Sequence, residues 1–392
     1  MDDAVAQILR FNRGRDPERL QRKYAAMRRD AFSFLRASCH LFYQRLPPAA
    51  LLRDAPGAWC CGDLHLENFG SYQSASGLAC FDINDFDEAS LAPLSWDLLR
   101  FSASVIVGAQ GLGLAATDAS SLCMAFLDAY ADTLAGGKGG WVEQAGAGGQ
   151  VKLLLEKVAG RSRAALLERR TTGKRGARRL LIDATKTLAA SADDRARVGT
   201  LLRHYDHRQD RPGYFEPLDV ARRIAGTASL GLERFVILVA GRGADGNFLL
   251  DLKLAQASSL ASPLPQPRWK SQPLRIVTLQ NRLQAQDIAF LQPLGRYVLR
   301  ALLPSEDRIG RARALDLPTM RTMGMLAASA HLRGAGRDGS AIADALVGFG
   351  RQKRWRTTLL ALARKSSAQL MLDWESYCTA YDSGALSLDA TA

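Results

Sequence analysis

Asp63, Asn68, Asp82, Asp85, Asp87 and Asp97 fall within 35 residues of a 392-residue chain, most of them inside or beside short apolar runs. The run Cys61-Gly62-Asp63-Leu64-His65-Leu66-Glu67-Asn68-Phe69-Gly70 is followed by Ala79-Cys80-Phe81-Asp82-Ile83-Asn84-Asp85-Phe86-Asp87 and then by Trp96-Asp97-Leu98-Leu99-Arg100. A carboxylate buried without a partner is costly, so acids in such surroundings are paired or hold a cation. Carboxylates joined by a carboxamide offer hard oxygens, the donor set that suits magnesium.

The elements around these residues bring them together. Pro47-Pro48 ends a helical N-terminal segment, and Ala58-Trp59-Cys60 reads as a strand entering a loop at Gly62. A second strand is expected at Leu78 to Phe81, with Gly77 at the turn between it and the strand after Asn68, which is a hairpin signal. A hairpin places the loop before its first strand beside the end of its second, so Asp63 and Asn68 come next to Asp82, Asp85 and Asp87. Asp97 opens a helix carrying Leu98, Leu99, Phe101, Val105 and Ile106.

An Asp, an Asn five residues later and an Asp-Phe pair after a short hairpin resemble a kinase catalytic loop followed by its metal-binding Asp. Gly62-Asp63-Leu64 with Asn68 resembles the aminoglycoside and choline phosphotransferase branch. In that branch the Asp-Leu pair matched by Asp97-Leu98 starts a helix, and its carboxylate braces the catalytic loop. The resemblance implies that Asp63 orients an acceptor hydroxyl and that Asn68 with a following Asp holds magnesium on the phosphates of ATP. Spacing from Asp97 favours Asp85 as that ligand, distance from Asn68 favours Asp82, and Asp87 is available to assist. The longer string, Cys-Gly-Asp-x-His-x-x-Asn-Phe-Gly with Asn-Asp-Phe-Asp-Glu-Ala and Trp-Asp-Leu-x-Arg, resembles a bacterial family described as domain of unknown function 2252, grouped with kinase-like folds. The plain alternative is that these acids are loop and cap residues of an ordinary α/β domain.

The rest of the chain supplies a second half for such a site. From Tyr214 the sequence changes character: Ile224-Ala225-Gly226-Thr227-Ala228-Ser229-Leu230-Gly231 precedes a strand at Phe235 to Ala240, a turn between Gly241 and Gly246, and a strand from Phe248 that carries Asp251 and Lys253. This resembles a kinase N-lobe, with Gly226, Ser229 and Gly231 over the phosphates and Lys253 reaching them. A helix at Ile276 to Leu283 and a strand at Arg296 to Leu303 would complete it. The glycines between Gly136 and Gly149 lack a strand-to-helix context and read as loop, and helical patterns continue to about Leu202. Helices return from Pro318 to Tyr381, where Met325-Leu326-Ala327 with His331 resembles the helix that precedes a phosphotransferase catalytic loop. His331 and His65 both read as packed residues rather than catalytic bases.

The order is unusual, because the catalytic loop precedes the nucleotide-binding segment. The reading is an α+β, protein-kinase-like two-lobed fold in circularly permuted order, with a mostly helical C-lobe. Residues 1–213 would form C-lobe helices with the catalytic loop and hairpin, 214–305 a β-rich N-lobe, and 306–392 helices returning to the C-lobe, so that both chain ends meet around the hairpin. One departure stands out. No Glu occurs between Arg234 and Ser305 to pair with Lys253; the family favours one near Thr278 and one where Leu254 stands. Asp251, on the same strand face two residues earlier, or Asp287 would have to substitute.

Composition sets the remaining bounds. Hydrophobic residues at 47% and charged residues at 23% are globular values. No apolar run reaches membrane-spanning length, and Met-Asp-Asp-Ala lacks a basic signal-peptide start, so a cytoplasmic protein with no membrane partner is expected. The six cysteines show no paired metal-ligand spacing and are expected as free thiols. Much of the net charge of +13 is concentrated between Lys152 and Lys186, including Arg161, Arg163, Arg169, Arg170, Lys174, Arg175, Arg178 and Arg179. This stretch reads as a solvated helical face or as a site for an anionic partner. Three functions follow: a Mg-ATP-dependent phosphotransferase acting on an unidentified small-molecule or protein hydroxyl, with nucleotidyl transfer as a variant; a non-catalytic nucleotide-binding module; or a basic anion- or nucleic-acid-binding protein.

Overall fold

In the computed structural model, which describes residues 3–173, 177–209, 212–242, 246–261 and 263–387, the segment ahead of the acidic cluster is helical. Helices Ala4–Asn12, Pro17–Arg29 and Ala31–Ala37 start on Asp3, Asp16 and Asp30, whose carboxylates accept from the backbone N–H groups of Val5, Arg19 and Ser33. Strand β1 (Gly57–Cys60) leads into the acidic loop. Strands β2 (Phe69–Gln73) and β3 (Ala79–Ile83) form the expected hairpin, with Phe69 opposite Ile83 and Gly70 opposite Asp82. Strand β4 (Ser90–Pro93) returns antiparallel to β1, and helix Ser95–Gln110 follows.

Two stretches differ from their sequence reading. The glycine-rich segment holds a two-residue strand, β5 (Val142–Glu143), on the open edge of β3. The helical pattern towards Leu202 is interrupted by β6 (Thr171–Thr172), β7 (Arg179–Leu180) and β8 (Thr187–Ala189). Pieces of two or three residues are too short to display alternation; β6 and β7 pair with each other and β8 pairs with the strand that begins at Pro217. Helix Ala192–Asp206 then resumes the pattern.

Strands β9 (Pro217–Arg223), β10 (Arg234–Val239) and β11 (Phe248–Leu254) form an antiparallel meander. After helix Gln272–Leu283, β12 (Gln292–Leu294) and β13 (Tyr297–Ala301) complete a sheet of order β12-β13-β11-β10-β9-β8. This sheet is buried on both sides. Phe235, Ile237 and Val239 pack with Val198 and Leu202, whereas Val236 and Leu238 pack with Leu166, Leu167 and Leu180. A strand buried on both faces reads as an unbroken apolar run, which is why residues 235–239 are conspicuous in the sequence.

The largest core draws on both chain ends. Ile8, Tyr24 and Phe34 share it with Trp59, Phe101 and Phe126, and with Met320, Leu359 and Tyr377 from the closing helices. Tyr377 Oη donates to Tyr24 O at 3.0 Å and Trp374 Nε1 to Met27 O at 3.0 Å. The six cysteines are free and all but Cys378 are buried. Among the described residues no helix is long and apolar enough to cross a membrane.

One close helix approach is set by a glycine. Helix Leu317–Gly334 lies against Ala116–Gly136 so tightly that a Cβ on Gly324 would stand 2.2 Å from Phe126 O. Gly324→Ala is therefore expected to cost about 1–3 kcal/mol through forced separation of the two helices. Gly348→Ala, in helix Ala343–Arg351 with nothing within 4 Å, should instead gain about 0.5–1 kcal/mol. Urea denaturation of both variants checks the pair, and equal effects would contradict the close approach.

Candidate functional site

The loop after β1 is held in shape from behind. Asp97, in the first turn of helix Ser95–Gln110, accepts from the N–H of Cys61 at 2.7 Å and of Gly62 at 2.9 Å. His331 Nε2 lies 3.4 Å from the same carboxylate, and its Nδ1 meets Tyr130 Oη at 2.6 Å. His331 is thus a buried packing residue of helix Leu317–Gly334. Gly62 has φ +83°, and a Cβ there would meet Glu88 O at 2.1 Å, so only glycine permits this turn.

Asp63 and Asn68 occupy the loop so fixed. Arg100, fully buried one turn after Asp97, donates from Nε to Asp63 Oδ1 at 2.7 Å and from Nη2 to Leu35 O at 2.9 Å. Its guanidinium lies 4.9 Å over the Phe42 ring. Burial still raises the Asp63 carboxyl above its ordinary value, with Arg100 acting against the rise. His65 sits close by, Nε2 at 3.8 Å from Asp63 Oδ2, and burial together with Arg36 and Arg100 pushes it well down, so it is neutral. Asn68 donates from Nδ2 to Asp63 O and Asp85 O, both at 3.1 Å. Its Oδ1 is buried and has no hydrogen-bond partner among the described residues.

The three aspartates after the hairpin do not point the same way. Asp82 accepts from Ile83 N at 2.8 Å and Ala285 N at 3.1 Å, and lies 3.4 Å from Arg333. It faces helix Gln272–Leu283 and its exit. Asp85 and Asp87 face the large sheet, where Lys253 of β11 lies 3.6 Å from Asp85 Oδ2 and forms a closer ion pair with Asp87. The Asp85 side chain is 48% exposed to the space between. Burial works to raise Asp85, but Lys253, the Asp87 N–H, Arg300 and Arg234 carry it below the usual range. Asp87 is pushed up, by burial first and by Asp85 second, with Lys253 opposing.

A cavity of about 420 Å³ opens at this contact, lined by Asp85, Asp87 and Lys253 and roofed by Arg223, Arg234 and Arg300. Gly226 lines it and Ser229 lines a smaller neighbouring cavity that reaches Asp63. The glycine segment between β9 and β10 hangs from the N-terminal helices. Arg15 donates to Ala228 O at 2.8 Å and Leu230 O at 3.1 Å, and Arg19 to Leu232 O at 2.8 Å. Gly231 has φ +87° and passes so close that a Cβ would lie 2.8 Å from Arg15 Cβ. Arg15, Arg19 and Arg100 were not expected from sequence; Arg100 alone belonged to a recognisable string, Trp-Asp-Leu-x-Arg.

Neither proposed substitute for the missing Glu touches Lys253. Asp251 is fully buried and bound by Arg234 through Nε at 2.8 Å, by Arg223 at 2.7 Å and by Arg300 at 3.2 Å. Asp287 is exposed, and its backbone oxygen accepts from Ala75 N at 2.8 Å. The partners of Lys253 come from the hairpin instead. Within the basic stretch, Lys157 and Arg161 bind Asp307 at 3.1 and 2.5 Å, Arg169 and Arg179 are exposed, and Lys174 and Arg175 lie outside the described residues.

A family model described as an uncharacterised protein conserved in bacteria, DUF2252, matches residues 15–380. No curated protein and no solved structure matches the chain.

Asp251 generates an acid-sensitive stability. Its carboxyl is buried, which would raise it, but Arg223, Arg234 and Arg300 hold it well below the ordinary value of about 3.9. On acidification the unfolded chain takes up this proton first, so the contribution is complete above about pH 5 and is lost as pH falls below about 4. Asp251→Asn leaves Arg223 and Arg234 without their anion and Arg300 with Glu306 alone, and should cost about 3–5 kcal/mol at pH 7. The deficit should shrink towards pH 3, as urea melts of both proteins across this range would show.

Proposed function

Given that the chain belongs to the bacterial DUF2252 family, whose description assigns no activity, we propose from the site itself that it is a kinase-like phosphotransferase using ATP and magnesium. The observation that carries this is the meeting of Lys253 with Asp85 and Asp87 across a cavity, with Asn68 joined to the Asp85 backbone through Nδ2 and its buried Oδ1 without a partner among the described residues. A buried carboxamide oxygen without a donor is costly and fits a cation.

Asn68 and Asp85, with Asp87 beside them, would hold magnesium, which when bound neutralises charge on transferring phosphates. Asp82 is assigned a bracing role, because both its oxygens are engaged by backbone N–H groups and one lies near Arg333. Asp63 orients the acceptor hydroxyl and takes its proton as the acceptor oxygen attacks the terminal phosphorus and the bond to the leaving oxygen breaks. Arg100 positions Asp63, and Asp97 positions the loop that carries it. Lys253, Gly226 and the Ser229 to Gly231 backbone face the phosphates. The group moved is a phosphoryl or, with the nucleotide reversed, a nucleotidyl group.

A two-lobed kinase-like fold in permuted order accommodates these assignments. It is supported by the shared core of the first and last helices and by the sheet contributing Lys253 from the other side of the cavity. One observation favours a second reading, a nucleotide-binding module without turnover. Lys253 has its acid partners on the hairpin and none on helix Gln272–Leu283, whose cavity-lining side chains are Ile276 and Gln280.

Thermal-shift titration with ATP tests the assignment. Magnesium-dependent stabilisation of the wild type is expected, of about 2.7 kcal/mol at a hundredfold excess over Kd. Asp85→Ala should abolish it. A wild type indifferent to Mg-ATP would refute the site, whereas binding without ATP turnover over any acceptor would favour the second reading.

A further inference from the structure

Charge, rather than an apolar slot, covers the sheet side of the cavity. Arg234 on β10 is register partner to Lys253, and Asp251 is register partner to Arg300 on β13. Residues opposite one another in a ladder share a face, so these side chains project together, and Arg223 joins them from the end of β9 through Asp251. They are largely out of solvent: the side chains of Arg223, Arg234 and Arg300 are 14%, 7% and 23% exposed, and Asp251 is 0% exposed.

The charges do not cancel. Arg223, Arg234 and Arg300 are set against Asp251 and against Glu306, 3.8 Å from Arg300, which leaves one cation in excess. Arg308 stands on the cavity wall, with Asp85 and Glu67 as the acids that act on it. Apolar side chains line the rest: Ile276, Ile288 and Val298 belong to a small core cluster, and Tyr72, Phe86 and Leu303 also border the cavity. Guanidinium forks match phosphate oxygens two at a time.

We infer that the cavity selects its ligand by a chain of phosphates, met by Arg223 and Arg300 beside Lys253, rather than by the base, with Arg234 engaged on Asp251 and Ala225 O and bracing the row. The ligand class is a polyphosphate anion, whether inorganic or the tail of a nucleoside triphosphate. This rests on reading the cavity as a magnesium and phosphate site, and it extends that reading to what selects the ligand.

Isothermal titration of the full-length wild type with magnesium tripolyphosphate, Mg-ATP, Mg-GTP and adenosine tests it. Tripolyphosphate is expected to bind within about tenfold of ATP, with ATP and GTP alike, and adenosine should neither bind nor compete. Tripolyphosphate binding in the absence of any nucleotide affinity would also support the inference and would identify the inorganic source. Arg300→Gln leaves Asp251 paired to Arg223 and Arg234, so folding should survive, and it should weaken tripolyphosphate and ATP together by about tenfold or more. If adenosine competes and tripolyphosphate binds a hundredfold or more weaker than ATP, the inference is overturned while the phosphotransferase site stands. If no phosphate ligand binds with magnesium, both fall. The wild-type comparison decides the question even where Arg300→Gln is unstable.

Discussion

The contact of Lys253 with Asp85 and Asp87 joins parts of the chain about 170 residues apart and fixes how the sheet meets the hairpin. It is an electrostatic necessity. Two carboxylates side by side in a partly desolvated space repel, and Asp87 is pushed upward by burial and by Asp85. The lysine offsets that repulsion only because β11 holds its backbone in a six-stranded sheet with apolar packing on both faces. Sheet position and acid chemistry therefore depend on each other.

The same logic runs through the rest of the site. Each buried charge is held by partners that also fix backbone. Asp97 satisfies two loop N–H groups, Arg100 binds both Asp63 and a carbonyl of the preceding helix, and Arg275, 4% exposed, donates to the carbonyls of Asp87, Ala89 and Gln256. Removing any one of these would expose unsatisfied groups on two segments at once. The acidic loop is thus rigid by over-determination, which is what a positioned carboxylate requires.

Much of this was legible because it is local. The β2–β3 hairpin, its turn at Gly77, helix Ser95–Gln110 and the strands β10 and β11 follow from apolar runs and turn residues a few positions apart. The loop brace by Asp97 was an expectation that came only from the resemblance of Asp97-Leu98 to a phosphotransferase helix start. Illegible were the interactions whose partners are far apart in sequence: Arg15 and Arg19 holding the glycine segment, and three arginines converging on Asp251. Asp251 and Lys253 were rightly placed on one strand face, but sequence could not say which neighbour each would meet. Cross-strand register decided it, setting Arg234 opposite Lys253 and Arg300 opposite Asp251.

Chain order imposes its own condition. A site whose acidic loop precedes its sheet needs the segment ahead of the loop to belong to the same core as the segment after the sheet. Here Tyr24 and Met27 receive hydrogen bonds from Tyr377 and Trp374, and the N-terminal helices also carry the glycine segment through Arg15 and Arg19. The first helices are therefore not an appendage to the site. They connect the helical core to the loop over the cavity, so strain in one is felt at the other. Lys23 makes the dependence sharper: fully buried, it donates to Asn12 Oδ1 at 2.8 Å and to Ala228 O at 3.3 Å, with no acidic residue paired to it among the described residues. Burial and Arg15 push its ammonium well below the ordinary lysine value. A lysine kept in so unfavourable a place is held there by the carbonyl of the glycine segment, which ties the geometry of the cavity to the packing of the chain's first two helices.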